Sequence, residues 1–209
     1  MDEFLRSTDV IDWQHPAVRA KAEALRAGPP DAEAIARRCF EWVRDEIQHT
    51  TDFGLEVVTC AASDVLEQGS GFCYAKSHLL AALLRANGIP AGFCYQRLAL
   101  DDDGRQFCLH GFNGVLLPGV GWYRADPRGN RVGIDAQFVP PVERLAFDAS
   151  LPGEVDSPDI WVDPLPAVVE ALRAHDRAAI LAQHLPDVAL DRLTAVGRVS
   201  AKGAQTDGR

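Results

Sequence analysis

Leucines at 79, 80, 83 and 84 follow the i, i+1, i+4, i+5 spacing of one helical face. Asn87-Gly88 then offers a left-handed terminator and Pro90 forbids continuation, so the pattern predicts a buried helix over about 72–87. An earlier stripe of Ile35, Cys39, Trp42, Val43, Glu46 and Ile47, opened by Asp31 as N-cap, predicts a helix reaching about Gln48. The Ala-rich stretch 17–27 predicts a shorter helix stopped at Gly28-Pro29-Pro30, with His15 as a turn or capping residue before it. Residues 63–68 predict one more helical turn.

After Pro90 the pattern changes to strands. Residues 92–100, 106–117, 121–126 and 132–139 are apolar or aromatic runs, separated by turns at Asp101–Gly104, Pro118-Gly119 and Arg128–Asn130. A helical half followed by an antiparallel meander is an α+β fold, with the 72–87 helix packed on the sheet. Pro140-Pro141 begins an extended region, 158–166 contains Trp161, 167–184 predicts a helix, and 197–209 a mobile tail.

At 209 residues and 47% hydrophobic, with no Pro/Gly/Ser-rich linker, the chain reads as one domain over 1–196. A net charge of −9 and scattered basic residues exclude nucleic-acid binding through phosphates. No run approaches 18 apolar residues, so no membrane span is expected. The acidic Met1–Arg6 lacks a signal-peptide pattern, which gives a cytoplasmic expectation. The five cysteines at 39, 60, 73, 94 and 108 form no CxxC pair and read as free thiols. The histidines show no zinc spacing, and His175 and His184, nine apart, are not expected to meet; neither metal nor cofactor is predicted.

Cys73 changes the picture. Gly69-Ser70-Gly71 leads directly into it, so it would occupy the first turn of the central helix, where unpaired N–H groups and the helix dipole favour a thiolate. The alternative is a small buried apolar residue, the better guess for a cysteine taken at random. A turn centred on Pro118 would set His110 and Asp126 directly opposite each other, close enough for an imidazole to be oriented by a carboxylate while its other nitrogen faces Cys73. On spacing alone the plainer reading, a surface His–Asp pair beside a buried cysteine, is favoured, because a one-residue slip would part the pair. The Cys73 backbone N–H is a candidate oxyanion donor, and Gln68 a candidate side-chain donor.

Gly-Ser-Gly-Phe-Cys73 with Lys76, the run Leu79 to Ala91, the strand bearing His110, and Tyr123-Arg124-Ala125-Asp126-Pro127 together resemble the transglutaminase-like cysteine enzymes of papain-type fold. Phe40 to Ile47 also resembles the helix preceding that core in bacterial members, and the resemblance spans about 31–139. It implies Cys73 as nucleophile, His110 as general acid/base and Asp126 as orienter, acting on a peptide or amide substrate through a thioester. A protease or amidase is the first expectation. Alternatives are an arylamine N-acetyltransferase-like enzyme, although the Arg-Gly-Gly-x-Cys pattern is missing, and a non-catalytic peptide-binding domain of the same fold.

Overall fold

The computed structural model describes residues 1–28, 31–101, 104–190 and 197–201. In chain order its elements are α1 (Pro16–Arg26), α2 (Ala32–Glu46), β1 (Gln48–His49), α3 (Ala62–Gln68), β2 (Ser70–Gly71), α4 (Cys73–Ala86), β3 (Ala91–Ala99), β4 (Phe107–Leu117) and β5 (Gly121–Ala125). There follow β6 (Gln137–Val139), β7 (Val142–Arg144), β8 (Val155–Asp156), β9 (Asp159–Trp161), α5 (Pro166–Ala174), α6 (Ala178–Leu181) and β10 (Arg198–Ser200). The main sheet runs β10-β9-β3-β4-β5, antiparallel throughout, with β8 also on β3. This is the α+β arrangement expected, a cysteine-bearing helix on an antiparallel sheet.

Helix α4 is more deeply placed than its leucine stripe implies. Cys73 through Arg85 are all buried, because α1, α2 and α3 pack on one side of it and β4 on the other. Its polar side chains are therefore obliged to find partners inside. Lys76 Nζ donates to the carbonyls of Arg44 (3.2 Å) and Ile47 at the C-terminus of α2, and burial pushes its pKa down to about 7. Arg85 donates to the carbonyls of Arg6 (2.9 Å), Ala91 (2.9 and 3.1 Å) and Val162 (2.6 Å), joining helix, sheet and N-terminal segment. His78 bonds the Cys60 carbonyl at 2.8 Å, and burial pushes its pKa down to about 4, so the ring is neutral.

Four expectations need correction. The 132–139 run does not become the fourth strand of the meander. Asn130 holds Ala136 by two hydrogen bonds (2.8 and 3.2 Å), folding the segment back so that only Gln137–Val139 is extended, paired with β7. The edge of the main sheet beyond β3 is made instead by β9 and β10. The predicted 167–184 helix breaks after Ala174, because Arg177 pairs with Val57 and Ala178 N–H donates to the Glu56 carbonyl at 2.8 Å. That break brings the His175 and His184 rings to 5.3 Å, against the expectation that they stay apart; no group of three metal-ligating side chains exists among the described residues. Finally, Arg198–Ser200 is an edge strand on β9 rather than tail. Residues 202–209 of the expected tail, Pro29-Pro30 and the 102–103 tip of the first hairpin lie outside the described residues. No helix among the described residues is long and apolar enough to cross a membrane.

Candidate active site

Gly69 ends α3 in the left-handed conformation (φ 63°), and Ser70–Gly71 then pairs in parallel with Gln48–His49. That short ladder delivers the chain to Phe72, whose extended backbone (φ −65°, ψ 165°) makes it the N-cap of α4. Cys73 is thus the first helical residue. The first intrahelical bond runs from Lys76 N–H to the Phe72 carbonyl, 2.9 Å. The amides of Cys73, Tyr74 and Ala75 have no acceptor within the helix and are available to an anion.

The position of His110 relative to Cys73 follows from how α4 docks on β4. The Tyr74 hydroxyl donates to the Leu109 carbonyl, one residue before His110. Asn113 Nδ2 donates to the carbonyls of Ser77 on α4 (3.0 Å) and Gly92 on β3 (3.2 Å). Gly111 lets the helix come this close: a Cβ there would lie 2.8 Å from Tyr74 Cδ1 and 3.3 Å from Tyr95 Cε1. Both neighbours are fully buried rings with no room to move aside. Gly111→Ala is therefore expected to push the start of α4 off β4. It should cost about 1–3 kcal/mol of stability and, through misplacement of thiol against imidazole, roughly 100-fold in turnover. Paired measurements of melting temperature and kcat/KM check this; full activity would mean that the close approach does not set the site.

The β4–β5 register differs from the one expected. Leu117 pairs with Gly121, so the turn is centred on Gly119 (φ 76°) rather than Pro118, and the last pair is Asn113 with Ala125. Asp126 consequently lies diagonal to His110 instead of directly opposite. The displacement is two residues, a whole period of the strand, so both side chains stay on one face. His110 Nε2 and Asp126 Oδ2 are 2.7 Å apart, both buried. Asp126 also accepts from Arg128 N–H through Oδ1 (3.1 Å) and from Ala146 N–H through Oδ2 (3.0 Å). Cys73 also acts on the imidazole, helping to raise its pKa, and lines the same cavity.

Burial works against charge on the His110 ring, but Asp126 and Cys73 outweigh it and raise its pKa to about 10. Burial likewise opposes the Asp126 carboxylate, yet His110 and the two backbone donors hold it below its ordinary value. Aromatic rings enclose the pair: Phe112 stacks on His110 at 5.7 Å, and Phe147 meets it edge-on at 4.9 Å. Gln96, directly opposite His110 on β3, donates to the Phe147 carbonyl at 3.1 Å and so holds that ring over the imidazole.

Cys73 and His110 line a cavity of about 500 Å³. A second histidine, His49, lines it too, beside Thr51 (3.0 Å) and Asp52 (3.7 Å). Burial and the charge of Arg128 push His49 down to about 3. The pKa values of two imidazoles of one cavity are thus driven apart, His110 upward and His49 downward. Arg128 forms a two-point ion pair with Asp52 (2.7 and 3.0 Å). Gln68, by contrast, is exposed at the end of α3 and is not among the residues lining the cavity, so the oxyanion role proposed for it is withdrawn. His49, Gln96 and Phe147 were not singled out from sequence.

The sequence model of the transglutaminase-like superfamily core matches residues 19–127. Among solved structures the chain is similar to a presumed cysteine protease of Cytophaga hutchinsonii, with 19% identity and a TM-score of 0.48 over 60% of this chain and 40% of that one. It is also similar to the periplasmic domain of TgpA from Pseudomonas aeruginosa, with 26% identity and a TM-score of 0.43 over 54% of this chain and 42% of that one. The chain thus spans about two fifths of the length of these two structures. A search of curated proteins gives no significant match.

Proposed function

The chain belongs to the transglutaminase-like superfamily, and from that premise we propose that it is a cysteine-dependent acyl-transfer enzyme whose nucleophile is Cys73, with His110 as acid/base and Asp126 as orienter. The observation that supports this reading is an imidazole bonded to a buried carboxylate in the same cavity as a thiol at a helix N-terminus. In the reaction so assigned, Cys73 gives its proton to His110 and attacks an amide carbonyl. The oxyanion is met by the backbone N–H of Cys73. His110 then protonates the departing amine, leaving a thioester, and afterwards takes a proton from water or an incoming amine as that group attacks the acyl carbon. Hydrolysis of a peptide or amide is the first assignment. We place the reaction in a reducing compartment such as the cytoplasm, on the ground that all five cysteines are free.

Reactivity of the thiols tests the nucleophile. Burial raises the pKa of Cys39 and Cys108 to about 12, and raises those of Cys60 and Cys94 as well, keeping these four protonated at neutral pH. Brief treatment with iodoacetamide followed by peptide mass mapping should therefore modify Cys73 first. The preference should disappear in His110→Gln. Preferential modification of Cys60 or Cys108 in the parent would count against the assignment.

A further inference from the structure

The residues lining the cavity with Cys73 fall into two unlike groups, one at each end. One end is polar: His49 pairs across the short ladder with Gly71, two residues before Cys73, and with Thr51 and the Asp52-engaged Arg128 it forms a hydrogen-bonded wall. The other end is apolar. Leu98 and Cys108 are opposed across the β3–β4 ladder, and Cys108 and His110 are two apart on β4, so all three project from the same face of the sheet. Leu100 continues that row and is 49% exposed.

Leu185 closes this end from outside the matched core. Its segment is fixed on the start of β4 by Leu109 N–H donating to the Pro186 carbonyl (2.8 Å), and by Arg97 bonding both carboxylate oxygens of Asp187 (2.6 and 2.7 Å). The charges lining this end are negative. Asp148 is exposed, and Glu154 is held by N–H groups of Ala99 (2.9 Å), Ser150 (2.8 Å) and Leu151 (2.8 Å). Arg128 is the sole lysine or arginine lining the cavity among the described residues, and it stands at the polar end.

Building on the reading of Cys73 as nucleophile, we propose that the apolar end is a specificity subsite: it takes an aliphatic or aromatic side chain next to the carbonyl under attack and rejects an acidic one. Leucines supply the contact, while the Asp148 and Glu154 carboxylates repel a like charge. Loss of a few methylenes from a substrate side chain should cost about 10-fold or more in rate. Three of these residues, Asp148, Glu154 and Leu185, lie beyond residue 127, where the match to the superfamily model ends. The subsite thus combines leucines of the matched core with residues from this chain's own C-terminal part.

The test is a series of N-blocked aminoacyl vinyl sulfones that differ only in side chain: Leu, Phe, Ala and Asp. The Cys73 sulfur adds to the β-carbon, and the proton held by His110 passes to the α-carbon, so no leaving group or co-reactant is needed. Rates are read by intact mass and the modified residue by peptide mapping. The Leu and Phe probes should react about 10-fold faster than Ala and about 100-fold faster than Asp. Leu185→Ala should narrow the first ratio, and Leu185→Lys should raise the Asp rate, with melting temperatures reporting that both variants fold. Equal rates at Cys73 across the series would overturn the subsite and leave the nucleophile standing. No modification of Cys73 by any probe would overturn the nucleophile, and the subsite with it.

Discussion

Cys73→Ala should lower acyl transfer by on the order of 10⁴–10⁶-fold while leaving the fold intact. The change removes one sulfur from a helix N-terminus whose backbone contacts remain, and the Lys76, Tyr74 and Asn113 bonds that seat α4 do not involve it. His110 requires more care. His110→Ala would leave the Asp126 carboxylate buried without its principal partner, a kind of loss that costs about 3–5 kcal/mol. His110→Gln keeps an N–H donor for the carboxylate but cannot carry a proton between thiol and leaving group. It should match Cys73→Ala in activity per folded molecule at a smaller cost in melting temperature. The double variant Cys73→Ala/His110→Gln should be scarcely worse than either single one, because the two residues act as a unit. Additive losses would show that His110 and Cys73 work separately. Parental activity in Cys73→Ala would end the proposed mechanism.

The sequence made the scaffold of this site readable because its signals are local. The helix from Cys73 and its stop at Asn87-Gly88 depend on apolar spacing and terminator chemistry, and the structure places that helix at Cys73–Ala86. The strands at 91–99, 107–117 and 121–125 were legible for the same reason. What failed was non-local. The centre of the turn at Gly119 is decided by loop geometry, and a shift of two residues turned direct opposition of His110 and Asp126 into a diagonal contact. No periodicity could show that residues 177 and 57 pair, or that Asn130 folds back on Ala136. His49 and Gln96 escaped notice because each reaches the site through sheet pairing, one opposite Gly71 and the other opposite His110. Gln68 offered a side-chain donor near Cys73 in sequence, but it is an exposed residue at the end of α3 and does not line the cavity.

Asp126→Asn should show loss of activity and loss of stability together, with pH dependences that separate the orienting role from a merely structural one. The carboxylate accepts three hydrogen bonds, from His110 and Ala146 on one oxygen and from Arg128 on the other. An asparagine has one acceptor oxygen, so its NH₂ must face either the Arg128 amide or the His110 and Ala146 donors. One buried donor at least is then unsatisfied, at a cost of about 1–3 kcal/mol. The carboxylate's depressed pKa contributes stability above the ordinary aspartate value, and that contribution is lost as pH falls through the lower value it has in the folded protein. His110, raised to about 10, contributes fully below its ordinary value near 6.5 and progressively less as pH climbs toward 10. The difference in melting temperature between parent and variant should therefore be largest between about pH 4 and 6.5 and shrink on both sides. Turnover should fall by about 10²–10⁴-fold, less than for Cys73→Ala. Asp126 is the larger of the two partners that raise His110, so the alkaline limb of the pH–rate profile should move to lower pH in the variant. A structural partner of the turn would behave otherwise: lower melting temperature, unchanged turnover per folded molecule, and an alkaline limb where the parent has it.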